Sequence, residues 1–289
     1  MRCVDAGSSG ASVGPAESAL KLASAAALTA FAALTAATVA AAAPAAPAPV
    51  PCSQPVYLTF DTGHMGVAPL VADVLKRHKV RVTFFAAAER TQDDGDSLDN
   101  RWASWWKARA AEGHEFGSHT YDHVYWRADD KSIEPRFRVR PSAGAFAGRD
   151  FTWDAAKYCA NLDQASARLR DITGKKPLPL FRAPGGKTSP RLLAAARACG
   201  YSHVGWAPAG FLGDELPSER YSNATLLAQA LDRIRPGDIL LAHLGIWSRK
   251  DPWAPADLEP LIVGLQAKGY CFATLREHPA YRDWIAAHP

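Results

Sequence analysis

The stretch Val56-Tyr57-Leu58-Thr59-Phe60-Asp61-Thr62-Gly63 is a short run of strand-forming residues that ends in a carboxylate, a threonine and a glycine. Its aromatic and β-branched residues predict a β-strand over 56–60, with Asp61 just past its carboxyl end. Further along the chain, His119 and His123 stand four residues apart, a spacing that lets two imidazoles face one metal ion. Together these residues predict a hydrolytic metal site, in which Thr62 stands where a third ligand is expected.

Seven strand-like runs alternate with amphipathic helical patterns along the chain. The predicted strands cover 56–60, 82–86, 115–118, 180–182, 203–206, 239–242 and 270–274. Helices between successive strands predict parallel pairing with right-handed crossovers. An open doubly wound sheet and a barrel both satisfy this alternation.

Polar residues at the strand ends favour the barrel. Asp61, His119, Arg182 and His243 each stand at or just past the carboxyl end of a different predicted strand. In a barrel those ends converge on one mouth, where such folds carry their chemistry, whereas an open sheet would spread them along a line. We therefore expect a barrel of about seven strands.

One segment breaks the alternation. Residues 124–151 contain several arginines, glycines and prolines and predict a long loop near the mouth of the barrel. Such a loop is either a lid that shapes the substrate site or a surface insertion without a role of its own.

The composition is that of a globular domain, with 289 residues, 48% hydrophobic residues and a formal net charge of +4. A chain of this length can bury the core of one large α/β domain. The basic residues are not gathered into a stripe, which argues against a nucleic-acid-binding surface. We expect a monomer with no nucleic-acid partner.

The first part of the chain has a different composition. Lys21 is followed by an uncharged run rich in alanine and leucine that reaches Ala43, and then by alternating proline and alanine. This order predicts a secretory signal peptide over 1–43, a Pro/Ala-rich linker over 44–54 and the folded domain over 55–289. Two alternatives remain: an uncleaved anchor, the one case in which we expect membrane association, and a misassigned start, which Asp5 and Glu17 favour. The predicted location is the periplasm or the extracellular space.

Four cysteines follow the predicted signal peptide: Cys52, Cys159, Cys199 and Cys271. An oxidising compartment allows one or two disulfides, and four cysteines can pair in three ways that the sequence does not separate. None of them is in a C-x-x-C arrangement, which argues against a cysteine zinc site.

Four motifs carry a resemblance to one family. Thr59-Phe60-Asp61-Thr62-Gly63 resembles T-F-D-D-G, and Ser118-His119-Thr120-Tyr121-Asp122-His123 resembles H-[ST]-x-x-x-H. Phe181-Arg182-Ala183-Pro184-Gly185-Gly186 matches R-x-P-x-G, and Ile239-Leu240-Leu241-Ala242-His243 is similar to a final apolar strand that ends in histidine. These motifs, in this order over residues 55–275, are those of the polysaccharide deacetylases with a NodB homology domain, carbohydrate esterase family 4.

The resemblance implies a distorted (β/α)7 barrel that hydrolyses N-acetyl, or less often O-acetyl, groups of a cell-wall or extracellular glycan. It implies Asp61 as the general base, Arg182 as the partner that keeps Asp61 ionised, and His243 as the general acid. His119 and His123 would bind Zn2+, or another divalent metal such as Co2+ or Ni2+. The backbone N–H of Gly185 would stabilise the oxyanion of the transition state.

Three departures from the family pattern bear on this site. Thr62 replaces an aspartate that is a metal ligand in the family, so that Thr62 itself, water or the nearby His64 would complete the coordination. Gly185 stands where an aromatic residue is common, which predicts that one wall of the substrate groove is missing. The D-x-x-D-W motif after the fifth strand is not recognisable, and Asp214 is a candidate to orient His243 in its place.

Two other functions fit part of the pattern. A sugar-binding pseudoenzyme would keep the barrel and lose the metal together with the missing aspartate, but the chain retains Asp61, both histidines, Arg182 and His243, which argues against it. An amidohydrolase-type barrel would place an H-x-H pair on its first strand, where this chain has Asp61-Thr62-Gly63-His64. We favour the metal-dependent deacetylase, with the catalytically impaired sugar-binding protein as the alternative. Trp206, directly after a predicted strand, is a candidate to line the substrate groove.

Overall fold

The computed structural model describes residues 52–289, which form ten strands and eight α-helices. The strands are β1 (Pro55–Asp61), β2 (Thr83–Ala86), β3 (Glu115–Ser118), β4 (Val124–Asp129), β5 (Arg136–Pro141), β6 (Phe151–Asp154), β7 (Leu180–Phe181), β8 (Ser202–His203), β9 (Ile239–His243) and β10 (Cys271–Phe272). The helices are α1 (Ala68–Arg77), α2 (Ala103–Ala111), α3 (Ala155–Thr173), α4 (Pro190–Ala198), α5 (Asn223–Arg233), α6 (Trp253–Ala256), α7 (Leu258–Ala267) and α8 (Arg282–Ala287). Each of the seven predicted barrel strands is present, although β7, β8 and β10 are shorter than predicted.

Seven parallel strands form one curled sheet. Its order is β10-β1-β2-β3-β7-β8, and β9 pairs with β1. Between β8 and β9 the described chain has a single isolated bridge, from Phe211 to Leu241, in place of a ladder. The barrel is therefore not fully closed between β8 and β9. Its seven parallel strands and this incomplete closure confirm the prediction of a distorted (β/α)7 barrel.

Aromatic side chains on neighbouring strands form the centre of the main core. Phe60 of β1 is in register with Phe84 of β2, which is in register with Phe116 of β3. All three are fully buried, and the edge of the Trp106 ring on α2 packs against Phe84 and Phe116. Truncation of Phe84 to alanine would cost about 3–5 kcal/mol of stability, because the cavity left behind could not collapse fully. This layer holds the first three strand ends in a fixed relation.

The segment predicted as a loop over 124–151 is instead the larger part of a small antiparallel sheet, β4-β5-β6. Along β5 (Arg136–Pro141) exposed and buried residues alternate, with Phe137 and Val139 buried and the arginines between them exposed. The buried face packs against Tyr158 of α3 and Phe181 of β7. The loop prediction was wrong because the buried apolar residues of β5 alternate with exposed arginines, a period of two residues that is typical of a half-buried strand.

Two disulfides join distant segments of the described chain. Cys52–Cys271 ties the residues ahead of β1 to β10, and Cys159–Cys199 ties α3 to the end of α4. The predicted signal peptide over 1–43 and most of the predicted linker over 44–54 lie outside the described residues. Within residues 52–289, no helix combines the length and the apolar character needed to cross a membrane.

Candidate active site

Four side chains from four different strands meet at the carboxyl end of the curled sheet. Asp61 ends β1 and lies directly opposite His243, which ends β9, in the parallel register of the two strands. His119 follows β3 and Arg182 follows β7. A cavity of about 460 Å³ is lined by Asp61, both family-motif histidines of the β3 turn and His243. A second cavity of about 430 Å³, beside α3 and the C-terminal residues, is lined by none of the predicted site residues.

Arg182 is fully buried and fixes Asp61 through a charge-assisted hydrogen bond. Its Nη1 donates to Asp61 Oδ1 at 2.8 Å, while Nε and Nη2 each donate at 3.3 Å to the backbone carbonyls of Val204 and Gly205. Burial raises the pKa of Asp61, but Arg182 and the neighbouring imidazoles outweigh it and hold this pKa below its usual value. Asp61 is therefore ionised at neutral pH. Loss of Arg182 would leave an uncompensated buried charge, at a cost of about 3–5 kcal/mol.

The two histidines after β3 lie in a tight, braced turn. Thr120 and His123 have left-handed backbone angles, with φ of 59° and 47°, which residues other than glycine rarely adopt. The hydroxyl oxygen of Thr120 accepts the Val124 N–H at 2.7 Å. Asn161 on α3 accepts the Asp122 N–H at 3.1 Å and donates to the Asp122 carboxylate at 2.7 Å. These bonds stabilise a backbone shape that the turn would not hold alone.

Hydrogen bonds to Nδ1 determine which ring nitrogen of each histidine is free. His119 Nδ1 lies 2.9 Å from the carbonyl oxygen of Arg182, which can only accept, so Nδ1 carries a proton and, in the neutral ring, Nε2 is the nitrogen with the lone pair. His123 Nδ1 lies 2.5 Å from the Ser142 hydroxyl, which itself donates to the His123 carbonyl at 3.2 Å. Burial lowers the pKa of His123 to about 4, so this ring is neutral at pH 7. Both Nε2 atoms are left as possible metal donors.

These donors fit a divalent metal such as zinc. Zinc accepts neutral imidazole nitrogens whose other ring nitrogen donates to the protein, the arrangement found at both histidines. The two rings lie with centroids 4.8 Å apart. His119 Nε2 lies 3.5 Å from Asp61 Oδ2. When the imidazole is neutral, both atoms carry lone pairs and repel each other, and a bound cation would remove this repulsion. Within residues 52–289, however, no three histidine, cysteine or carboxylate side chains already stand at metal-binding spacing. A third donor would have to come from the cavity wall.

His243 is held by Asp214, the residue that the sequence offered as a candidate to orient it. Both Asp214 oxygens face His243 Nδ1, at 3.1 and 3.3 Å, and one of them also accepts the His243 backbone N–H at 2.6 Å. Burial alone would lower the pKa of His243. The negative charge of Asp214, with smaller contributions from Asp61 and Glu215, outweighs burial and raises this pKa to about 9. His243 is therefore an imidazolium at neutral pH, with a proton on Nε2 to give.

The glycines after Arg182 lie against two aromatic rings of the cavity. A Cβ at Gly185, where φ is 66°, would lie 2.8 Å from Cε1 of Tyr125, and a Cβ at Gly186 would collide with Trp206. Gly185 and Trp206 both line the cavity. The expectation of a missing wall was wrong, because Tyr125 of β4 reaches across and occupies the space beside Gly185.

Thr62 and His64, the two residues offered as substitute ligands, do not line this cavity. The Thr62 hydroxyl oxygen accepts the backbone N–H of Ala87 at 3.0 Å. His64 Nδ1 accepts the N–H of Gly66 at 3.0 Å, and its ring lines a smaller neighbouring cavity. Neither residue therefore lines the cavity that the two motif histidines line.

Sequence reasoning missed several residues that line the cavity, among them Glu89, Tyr125 and Ser142. Glu89 belongs to no motif, although its place just past the end of β2 was a signal, since the main predicted site residues share that position. Tyr125 and Ser142 belong to the segment predicted as a loop. A strand assignment there would have indicated that these side chains could face the mouth of the barrel.

Comparison with known proteins agrees with this arrangement. The polysaccharide deacetylase family model matches residues 49–204, more than half of the 289-residue chain. The peptidoglycan-N-acetylmuramic acid deacetylase of Bacillus subtilis is 28% identical over 225 residues, which cover 76% of this chain and 69% of that protein. A chitooligosaccharide deacetylase of Azorhizobium caulinodans is 26% identical over 230 residues, covering 76% of this chain and 92% of that protein.

A solved structure shows the same fold. The crystal structure of a peptidoglycan N-acetylglucosamine deacetylase matches with a TM-score of 0.58 and 24% identity, over 79% of this chain and 89% of that one. The relatives are named deacetylases, which confirms the predicted class of hydrolase, one that acts on non-peptide carbon–nitrogen bonds. The chain belongs to the polysaccharide deacetylase family.

Proposed function

We propose that this protein is an exported, metal-dependent deacetylase that hydrolyses N-acetyl groups of a glycan. The observation that carries the proposal is that two hydrogen-bonded pairs, Asp61–Arg182 and Asp214–His243, bring an ionised carboxylate and an imidazolium to one cavity. A base and an acid with pKa values displaced in opposite directions are what hydrolysis of an amide at neutral pH requires.

His119 and His123 would hold the metal through their Nε2 atoms, with Zn2+ the expected ion and Co2+ or Ni2+ as substitutes. The bound ion would polarise the acetyl carbonyl and acidify a water molecule. Every other part of the reaction falls to side chains and backbone of this chain.

In the proposed reaction, Asp61 Oδ2 takes a proton from water while the water oxygen bonds to the acetyl carbon. Arg182 keeps the base ionised until that moment, and the backbone N–H of Gly185 donates to the carbonyl oxygen as it becomes negative. His243 Nε2 then gives its proton to the leaving nitrogen as the carbon–nitrogen bond breaks. The products are a free amine and acetic acid, which ionises to acetate. Asp61 releases its proton to solvent and His243 takes one up, so that both groups return to their starting states. Asp214 keeps His243 oriented and protonated.

The substrate class follows from the relatives and from the cavity wall. The relatives are named for peptidoglycan N-acetylmuramic acid and for chitooligosaccharides, so we propose N-acetylated peptidoglycan strands or chitooligosaccharides, with O-acetyl esters of glycans as the second class. Tyr125, Trp206 and Trp247 line the cavity, and aromatic faces of this kind offer contact area for sugar rings.

Export is proposed from two independent features. The uncharged alanine-rich run that ends at Ala43 has the composition of a signal peptide. The pairs Cys52–Cys271 and Cys159–Cys199 form disulfides, which persist in the periplasm or outside the cell but are rare in a reducing cytosol.

Acetate release from purified protein loaded with Zn2+ tests the proposal, with muropeptides, chitooligosaccharides and acetylated xylan as substrates. We expect Asp61→Asn to retain zinc and to lose about 10²–10⁴-fold in kcat, because the general base is removed. His119→Ala should abolish zinc binding. A wild-type protein that binds no zinc and releases no acetate from any of these substrates would support the sugar-binding pseudoenzyme instead, and full turnover by Asp61→Asn would show that the proposed base is wrong.

A further inference from the structure

A carboxylate that belongs to none of the family motifs stands beside the two histidines. Glu89 lies three residues past the end of β2 (Thr83–Ala86) and lines the same cavity as His119 and His123. Its Oε1 lies 3.8 Å from His123 Nε2, and its side chain is 21% exposed. In the part of the chain that the structure describes, this histidine is its one ion-pair partner within 4.0 Å. Glu89 is therefore a half-buried residue whose carboxylate has no arginine or lysine within 4.0 Å in the described part of the chain.

The contact between Glu89 and His123 is not a hydrogen bond. His123 Nδ1 donates to Ser142, which leaves a lone pair on Nε2. Glu89 Oε1 and His123 Nε2 are then two acceptors that face each other. Such a pair is stable when a cation lies between its members, because both can donate electron density to the same ion.

The spacing of these two atoms suits one metal ion. Two ligands bound at about 2.0–2.2 Å in tetrahedral coordination lie roughly 3.4 Å apart. The observed 3.8 Å separation between Glu89 Oε1 and His123 Nε2 exceeds this value by a few tenths of an ångström, which a small rotation of the flexible glutamate can remove. Asp61 faces His119 at a similar distance, but its other oxygen is bound to Arg182, so Asp61 is already committed to a cation.

Hydrogen bonds on three sides fix the backbone that carries Glu89. The N–H of Ala87 donates to the Thr62 hydroxyl at 3.0 Å, and the N–H of Ala88 donates at 2.8 Å to the carbonyl of Tyr121, within the histidine turn. The N–H of Glu89 itself donates to the buried Ser97 hydroxyl at 3.2 Å. The backbone of this segment is thereby held against both the end of β1 and the histidine turn, so that a rotation of the Glu89 side chain alone is needed to bring its carboxylate to the ion.

We infer that Glu89 is the carboxylate ligand of the metal, which it binds together with His119 and His123, in place of the aspartate that the family carries at position 62. Thr62 does not contact the ion in this arrangement. Its hydroxyl anchors the Ala87 backbone and so supports the residue that does. This inference rests on the proposed metal-dependent function.

The test measures metal binding directly, on the full chain. Zn2+ affinity is determined by titration against a chromophoric chelator, and the visible spectrum of the Co2+ form reports coordination number and geometry. Glu89→Gln keeps the shape of the side chain and removes its charge, and we expect zinc to bind it at least about 100-fold more weakly than the wild type, with a changed cobalt spectrum. Glu215→Gln is the matched control, because Glu215 lines the same cavity on the His243 side. It should leave the zinc affinity within about threefold of wild type and the cobalt spectrum unchanged.

The outcomes separate this inference from the proposed function. If Glu89→Gln and wild type bind zinc equally well and give the same cobalt spectrum, Glu89 is not a ligand, while acetate release by the wild type would still support the deacetylase. If the wild type binds no zinc, both proposals fail. The apoprotein melting temperature and circular dichroism of Glu89→Gln should match those of the wild type, and Glu89→Asp, which shortens the same carboxylate, should bind zinc more tightly than Glu89→Gln if a charge at this position coordinates the ion.

Discussion

Both carboxylate oxygens of Asp214 face Nδ1 of His243, at 3.1 and 3.3 Å, across 29 residues of sequence. The pair makes a prediction about the alkaline side of the pH profile. Because the pKa of His243 is raised to about 9, the imidazole keeps its proton through neutral pH and loses it only as the pH rises through that value. We expect kcat/KM to fall above about pH 9 in the wild type.

Replacing Asp214 by asparagine should move the alkaline limb of the pH profile, the fall in kcat/KM at high pH, to lower pH. The side-chain oxygen of the new amide can still accept the His243 backbone N–H, but the negative charge that opposes the effect of burial is gone. We expect the alkaline limb to shift by at least about one pH unit, with a loss of kcat at pH 8. Asp232→Asn, on the exposed side of α5, should leave the profile unchanged. An unshifted limb in Asp214→Asn would mean that another group supplies the proton.

Tyr125 should contribute to substrate binding as the wall that Gly185 does not provide. Its ring lies edge-on to His123 at 5.0 Å and fills the space beside Gly185. We expect Tyr125→Ala to raise KM for a chitooligosaccharide about tenfold, since an aromatic contact of this kind contributes about 1–1.5 kcal/mol. Tyr125→Phe keeps the ring and should stay near the wild-type KM. If both variants raise KM equally, the hydroxyl group rather than the ring face makes the contact.

Asn161 should control metal affinity without touching the metal. Its amide joins α3 to Asp122, inside the turn that carries both histidines. We expect Asn161→Leu to weaken zinc binding about 10–100-fold, the effect typical of residues that hold ligands in place. Gln164→Leu removes an exposed amide from the same helix and should change nothing. Isothermal titration with Zn2+ distinguishes the two variants, and equal affinities would show that the turn keeps its shape alone.

The positions of the main candidate site residues could be predicted from sequence because each one stands at the end of a strand. Asp61 and His243 end β1 and β9, whereas His119 and Arg182 directly follow β3 and β7. Parallel strands in a curled sheet bring their carboxyl ends together. The alternation of strands and helices therefore carries most of the information about the site. Predicting these four positions therefore does not require knowledge of any side-chain contact.

Contacts that come from other parts of the fold could not be predicted in the same way. Tyr125 reaches the cavity only because β4 belongs to a small sheet whose apolar face packs on the barrel. Asn161 lies within α3, and no local sequence pattern indicates that its amide hydrogen-bonds to the turn that carries the two histidines. Glu89 shares the strand-end position of the other site residues, but its relation to His123 depends on hydrogen bonds from three separate segments.

Thr62 should be important for stability rather than as a metal ligand. Its side chain is buried, its hydroxyl oxygen accepts the N–H of Ala87, and its own N–H donates to the Phe85 carbonyl. Thr62→Val keeps the shape and leaves the buried Ala87 N–H without an acceptor, so we expect the free energy of unfolding in urea to fall by about 1–3 kcal/mol. Thr152→Val, at an exposed site on β6, should cost little.

Zinc titration of the same variants separates a structural role of Thr62 from coordination. Thr62→Ser retains a hydroxyl and should keep most of the stability and the zinc affinity of the wild type. If Thr62 only supports the Glu89 segment, Thr62→Val should bind zinc more tightly than His119→Ala, which loses a ligand outright. A Thr62→Val protein of wild-type stability that binds zinc as poorly as His119→Ala would place the hydroxyl on the metal and would contradict the structural role.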